Sequence, residues 1–80
     1  MDGLLKADNK LVGLKQSTRA LENGEVVVAY IARDAEAHVV LPFEQMCKAK
    51  EIRIIYADTS KDLAKACNIE VPTAVAVVLK

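Results

Sequence analysis

Two uninterrupted apolar runs dominate the pattern of the chain: Val26-Val27-Val28-Ala29-Tyr30-Ile31, within Glu25 to Ala32, and Ala74 to Leu79. Both are of strand length, and such runs suit strands buried on two faces under helices. Ile52 to Tyr56 is a third strand, and Lys10 to Val12 a short fourth one. Between them the apolar spacing turns helical. Val39, Val40, Phe43, Met46 and Cys47 predict a helix from roughly Glu36 to Lys50. Asp34 is its expected N-cap, and Pro42 should kink it or mark a restart, since a proline ring removes one backbone hydrogen bond. Lys15 to Asn23 reads as a helix stopped by Asn23-Gly24. Another covers about Ser60 to Cys67, capped by Asp58, Thr59 or Ser60 and facing inward through Leu63, Ala66 and Cys67. Asn68 is suited to the left-handed turn after it, and Ile69 to Thr73 is a loop. Asp2 to Ala7 predicts a short leading helix. Helix and strand thus alternate four times. The expected fold class is α/β, a three-layer α/β/α sandwich with a four-stranded mixed sheet, in one domain spanning residues 1–80.

Composition narrows the function. The chain has 80 residues, 52% of them hydrophobic, near the lower limit for a self-sufficient core. Net charge is zero, which argues against a nonspecific polyanion binder. A modest asymmetry survives: Lys6, Lys10, Lys15 and Arg19 share the N-terminal stretch with one acid, Asp8. The aromatic residues are Tyr30, Phe43 and Tyr56, too few for a base-stacking platform of the single-strand-binding kind. Cys47 and Cys67 form no CxxC pair and one histidine cannot complete a metal site with them, so both are expected as core residues, with no metal and no cofactor. The longest apolar run is too short to span a bilayer, and no signal peptide is visible, so the expected location is cytoplasmic.

Catalytic chemistry is hard to assemble. His38 has no partner arranged for acid–base work, and the acids Asp34 and Glu36 suit a helix start. Ser17, Thr18, Thr59, Ser60 and Thr73 sit where capping explains them, and no phosphate-cradling glycine pattern occurs. An enzyme is not expected. Gly13-Leu14-Lys15-Gln16-Ser17-Thr18-Arg19 is the more suggestive segment. It joins a strand to a helix through a glycine, sets free N–H groups from Gly13 onward at a positive helix end, and places Lys15 and Arg19 one turn apart. An ordinary solvated first turn has the same spacing. The apolar loop Ile69 to Thr73 is a second candidate contact.

Three blocks carry a resemblance: Gly13 to Ala20, Ala32-Arg33-Asp34-Ala35-Glu36, and Leu63 to Pro72. In this order and spacing they resemble the ribosomal-protein L7Ae/L30e family of kink-turn RNA-binding proteins, most closely its bacterial YbxF-like members. The similarity covers nearly the whole chain after Lys10. The resemblance implies that Lys15, Gln16 and Arg19 read tandem sheared G·A pairs in a widened major groove, with Gly13 opening the helix toward phosphates. It implies that Ile69, Glu70, Val71 and Pro72 pack on a three-nucleotide bulge, and that Glu36 and Lys61 line a pocket for an extruded nucleotide. Lys15-Gln16 stands where many archaeal and eukaryotic members have Asn-Glu, which removes a charged acceptor and implies weaker binding. Ala64 and Asn68 replace two common glycines.

The function so implied is a non-enzymatic, ribosomal-protein-like module that stabilises kink-turns in ribosomal RNA or a riboswitch. It would be a cytoplasmic monomer, with the ribosome among its partners and no membrane contact. The alternative is a protein–protein adaptor in ribosome or translation assembly, docking through the apolar loop with incidental RNA contact. Added salt separates them, since it weakens RNA binding steeply and an apolar interface little.

Overall fold

The computed structural model describes residues 9–80, so the leading helix expected over Asp2 to Ala7 lies outside the described residues. Seven elements follow: β1 (Lys10–Val12), α1 (Leu14–Glu22), β2 (Val26–Ala32), α2 (Ala37–Ala49), β3 (Arg53–Ala57), α3 (Ser60–Ala66) and β4 (Val75–Leu79). The sheet is mixed, in the order β1-β4-β2-β3. β2 and β3 run parallel, and β4 lies antiparallel to both of its neighbours, β1 and β2. The two long apolar runs occupy the two central positions, where a strand must be apolar on both faces. One residue escapes: Val27 is exposed, where the β2–β4 register shifts between Val26 and Val28.

Alternation along the central strands feeds two cores. Ala29, Ile31, Val75 and Val77 point to one face, packed with Ala20 and Leu21 of α1 and Phe43 and Cys47 of α2. Tyr30, Ala32 and Ala76 point to the other, with Leu63, Ala66 and Cys67 at α3. Two helices therefore cover one face and one helix the other, the expected three-layer α/β/α arrangement. Among the described residues no helix is long and apolar enough to cross a membrane.

The three helices among the described residues close with the same C-terminal hydrogen-bond pair. The two residues after the cap donate back to carbonyls of the last turn: Gly24 to Leu21 and Glu25 to Ala20, Glu51 to Lys48 and Ile52 to Cys47, Asn68 to Lys65 and Ile69 to Ala64. This motif needs a left-handed residue first, and Gly24 (φ 72°), Glu51 (φ 58°) and Asn68 (φ 61°) supply it. Asn68 thus keeps the turn a glycine would make.

Two helix expectations need correction. Asp34 does not cap α2; Glu36 occupies the N-cap position and makes no side-chain cap bond. Asp34 Oδ1 instead accepts from the N–H and the hydroxyl of Ser60, both at 2.7 Å. Parallel pairing of β2 with β3 brings the residue after one strand beside the helix after the other. Pro42 does not divide α2, which runs unbroken through it. Pro42 lies near the helix start and is exposed, and it has no N–H to donate to the carbonyl of His38.

Candidate nucleic-acid interface

Strand directions place every segment singled out in the sequence at one end of the sheet. β1, β2 and β3 end there and β4 begins there, with Val12 opposite Ala76, Ile31 opposite Val75, and Ala32 opposite Ala57. The α1 corner, the 33–36 loop, the start of α3 and the 68–74 loop share that rim.

At the α1 corner, Gly13 adopts φ 100° and ψ 149°, a conformation that L side chains rarely adopt. Its carbonyl accepts from Ser17 N–H at 3.0 Å, the first bond of α1. Its own N–H donates to the Val75 carbonyl at 3.1 Å, so Gly13 offers no amide to a phosphate. The amides of Leu14, Lys15 and Gln16 remain for that role, because they lie in the turn that has no intrahelical carbonyl to bond. No acidic residue lies in this turn to neutralise the positive helix end.

Lys15, Gln16 and Arg19 are all exposed. Gln16 and Arg19 line a shallow cleft of about 290 Å³ beside Leu11, with Asn23 and Glu25 completing its wall. Lys15 does not line this cleft, so the pair brought together is Gln16 with Arg19. Ser17 and Ala20 turn inward and are buried, leaving the polar positions of α1 outside.

The second segment is bound to the first through the sheet. Ile69 is 37% and Val71 72% exposed, unusual for apolar residues next to a formed core, and Glu70 and Pro72 are exposed with them. Both ends of this loop are fastened. Ile69 N–H donates to Ala64, and Thr73 N–H donates to the Ser60 carbonyl at 3.3 Å. The buried Thr73 hydroxyl donates to the Val75 carbonyl at 2.9 Å. That carbonyl is the one that holds Gly13, so a single peptide group of β4 ties the helix corner to the apolar loop. Ala32 N–H, donating to Ala74 at 2.8 Å, adds the β2 end.

Glu36 and Lys61 are exposed on the same rim. Glu36 lies 3.2 Å from His38 Nε2, and Lys61 sits in the first turn of α3, whose N-cap Thr59 accepts from Asp62 N–H at 2.9 Å. Neither lines the rim's larger cavity. Thr73 and the Asp34–Ser60 pair are the positioning groups that spacing did not reveal. Only their position, flanking the candidate loop and the α3 start, hinted at them. Among the described residues no cluster of His, Cys, Asp and Glu could hold a metal ion. Cys47 and Cys67 are buried and unbridged, as core residues should be.

Known proteins share this architecture and sequence. An RNA-binding protein of Caldanaerobacter subterraneus subsp. tengcongensis is 45% identical over 67 residues, 84% of this chain and 82% of its own. The RNA-binding protein YbxF of Geobacillus stearothermophilus is 30% identical over 77 residues, 96% of this chain and 94% of its own. Among solved structures, the 15.5kD RNA binding protein of Giardia lamblia superposes with a TM-score of 0.86 at 25% identity, covering 99% of this chain and 67% of that one. The model of the ribosomal protein L7Ae/L30e/S12e/Gadd45 family matches residues 2–80, and the chain belongs to that family.

Proposed function

We propose that this protein binds RNA without catalysis and recognises and stabilises kink-turns. The observation that carries the proposal is the shared Val75 carbonyl, which fixes a polar helix corner and an exposed apolar loop on one rim. Lys15 and Arg19 donate to guanine O6 and N7, and the Gln16 amide both donates and accepts at a base edge. Amides of Leu14 to Gln16 take a phosphate. Ile69 and Val71 cover unstacked bulge nucleotides, which duplex RNA hides and a bulge exposes. Glu70, Pro72, Glu36 and Lys61 flank that contact. The protein binds the kinked conformer better than the extended one and so shifts the population toward it. Names of relatives support an RNA partner. Kink-turns of ribosomal RNA or a riboswitch supply the chemistry it requires.

The test compares a kink-turn duplex with the same duplex carrying Watson–Crick pairs in place of its G·A pairs. Binding is expected to fall at least tenfold on replacement, the equivalent of about 1.4 kcal/mol. Equal affinity for both, or none for either, overturns the proposal. Arg19→Ala should cost about 1–3 kcal/mol of binding, as loss of a base-edge contact does, whereas Lys50→Ala, beyond the far end of α2, should change little.

A further inference from the structure

A concavity of about 430 Å³ opens between α2 and the ends of β2 and β3, on the rim already described. Its apolar floor includes Ile31, Val40 and Leu41, and its polar groups are Arg33, Glu44 and Tyr56. Arg33 and Tyr56 form a stack, with the guanidinium carbon 5.4 Å from the ring centroid. The Arg33 backbone N–H donates to the Ala57 carbonyl at 2.8 Å, which fixes the main chain there, and the Tyr56 hydroxyl donates to the Glu44 carboxylate, which holds the ring. The second Glu44 oxygen has only a distant approach from Lys48, at 3.8 Å. Tyr56 is 39% and Leu41 45% exposed, although a tyrosine in a strand facing a helix could have been covered. An apolar hollow of this size with a few convergent polar groups is the usual form of a small-ligand site.

We infer that this hollow takes one unstacked purine base of the RNA bound at the rim. The inference rests on the kink-turn proposal above and adds a contact on its far flank, away from α1. The Arg33–Tyr56 stack offers a planar surface of the kind on which single-stranded bases lie, and Arg33 also supplies a cation for the adjoining phosphate. The Glu44 carboxylate accepts from an exocyclic amino group, which adenine presents and uracil lacks, and a purine offers a larger stacking face than cytosine, the pyrimidine that shares such a group. The hollow adjoins the 33–36 loop and is therefore continuous with the proposed interface, while Glu36 and Lys61 stay outside its lining.

Affinity should be measured for a blunt kink-turn duplex and for duplexes carrying a three-adenosine single-stranded tail at either end. One tailed duplex is expected to bind about tenfold tighter than the blunt one, the gain typical of one stacked base. Tyr56→Leu and Arg33→Ala should each abolish that gain and leave blunt-duplex binding unchanged, which also shows that the variants are folded. Tyr56→Phe should keep most of it, because the ring persists. Normal blunt binding with no gain from either tail overturns the inference alone, as does a gain that survives both Tyr56→Leu and Arg33→Ala. A wild-type protein that binds no blunt kink-turn overturns the function proposal as well. Binding of free AMP at Tyr56 at micromolar concentration without RNA, read from NMR shifts, assigns the hollow to a free nucleotide and overturns the RNA contact.

Discussion

At the residue scale, the informative positions are those whose chemistry conflicts with their surroundings. Glu51 holds φ 58° with no glycine or asparagine to ease it, because the α2 terminus requires a left-handed residue there. Its side chain is exposed, so Glu51→Gly removes strain without opening a cavity. The variant should gain about 0.5–1 kcal/mol, read as a raised urea midpoint at unchanged slope. The cysteines conflict with ionisation. Burial pushes the Cys47 thiol up to about 11, with Glu44 adding to it, and burial raises Cys67 as well. Below the ordinary thiol value of 9.0 folded and unfolded chains are both protonated, so nothing changes with pH. Above it only the unfolded thiols lose protons, so stability falls as pH rises toward about 11. Urea midpoints measured from pH 8 to 11 should show this fall, reduced in a Cys47→Ala/Cys67→Ala double variant. Thiol reagents at pH 8 should label neither cysteine until urea is added.

At the element scale, much is legible in the sequence. Long β-branched runs can only be satisfied in the middle of a covered sheet, and β2 and β4 are central. β1 matches its expected bounds, and Asn23-Gly24 and Asn68 mark their helix ends because their left-handed turns are local chemistry. What could not be read is what depends on neighbours distant in sequence. Asp34 looks like a local cap, yet its partner is Ser60, 26 residues away, and only the parallel β2–β3 pairing joins them. The Gly13 amide is of the same kind: it looks free in the sequence, and only the placement of β4 supplies the Val75 carbonyl that accepts from it. The Glu51 turn carries no sequence signal, since glutamate is an unusual residue for it. Asp34 gives a test of this long-range class. Asp34→Ala should lower stability by about 1–2 kcal/mol, because it removes two bonds to a charged acceptor at the start of α3. Amide exchange should quicken at Ser60 and, through the Ser60 carbonyl, at Thr73. Asp34→Asn, which keeps an accepting oxygen, should restore part of both. Unchanged exchange at Thr73 would separate the loop from this tether.

At the scale of the whole molecule, the absence of net charge becomes a quantitative constraint on how such a protein holds RNA. Few cations lie on the rim: Lys15 and Arg19 at α1, Lys61 at α3 and Arg33 beside Tyr56. Glu36, Glu44 and Glu70 share the same end and offset part of that charge. Counterion release scales with the phosphates neutralised, at somewhat under one logarithmic unit of affinity per decade of salt for each. Lys15 and Arg19 are committed to base edges and Arg33 to stacking, so about one cationic phosphate contact, that of Lys61, remains. The logarithm of the kink-turn binding constant should therefore fall against the logarithm of salt with a slope of only about −1. A slope of −6 or steeper would mark a general polyanion binder, in conflict with the charge balance. A flat dependence would transfer the affinity to Ile69 and Val71 and support a docking role for that loop in a protein assembly. Arg19→Ala adds a check within the same series. As a base-edge residue it should lower affinity at every salt concentration with little change of slope, whereas Lys61→Ala, if it meets a phosphate, should flatten the slope by a little under one unit.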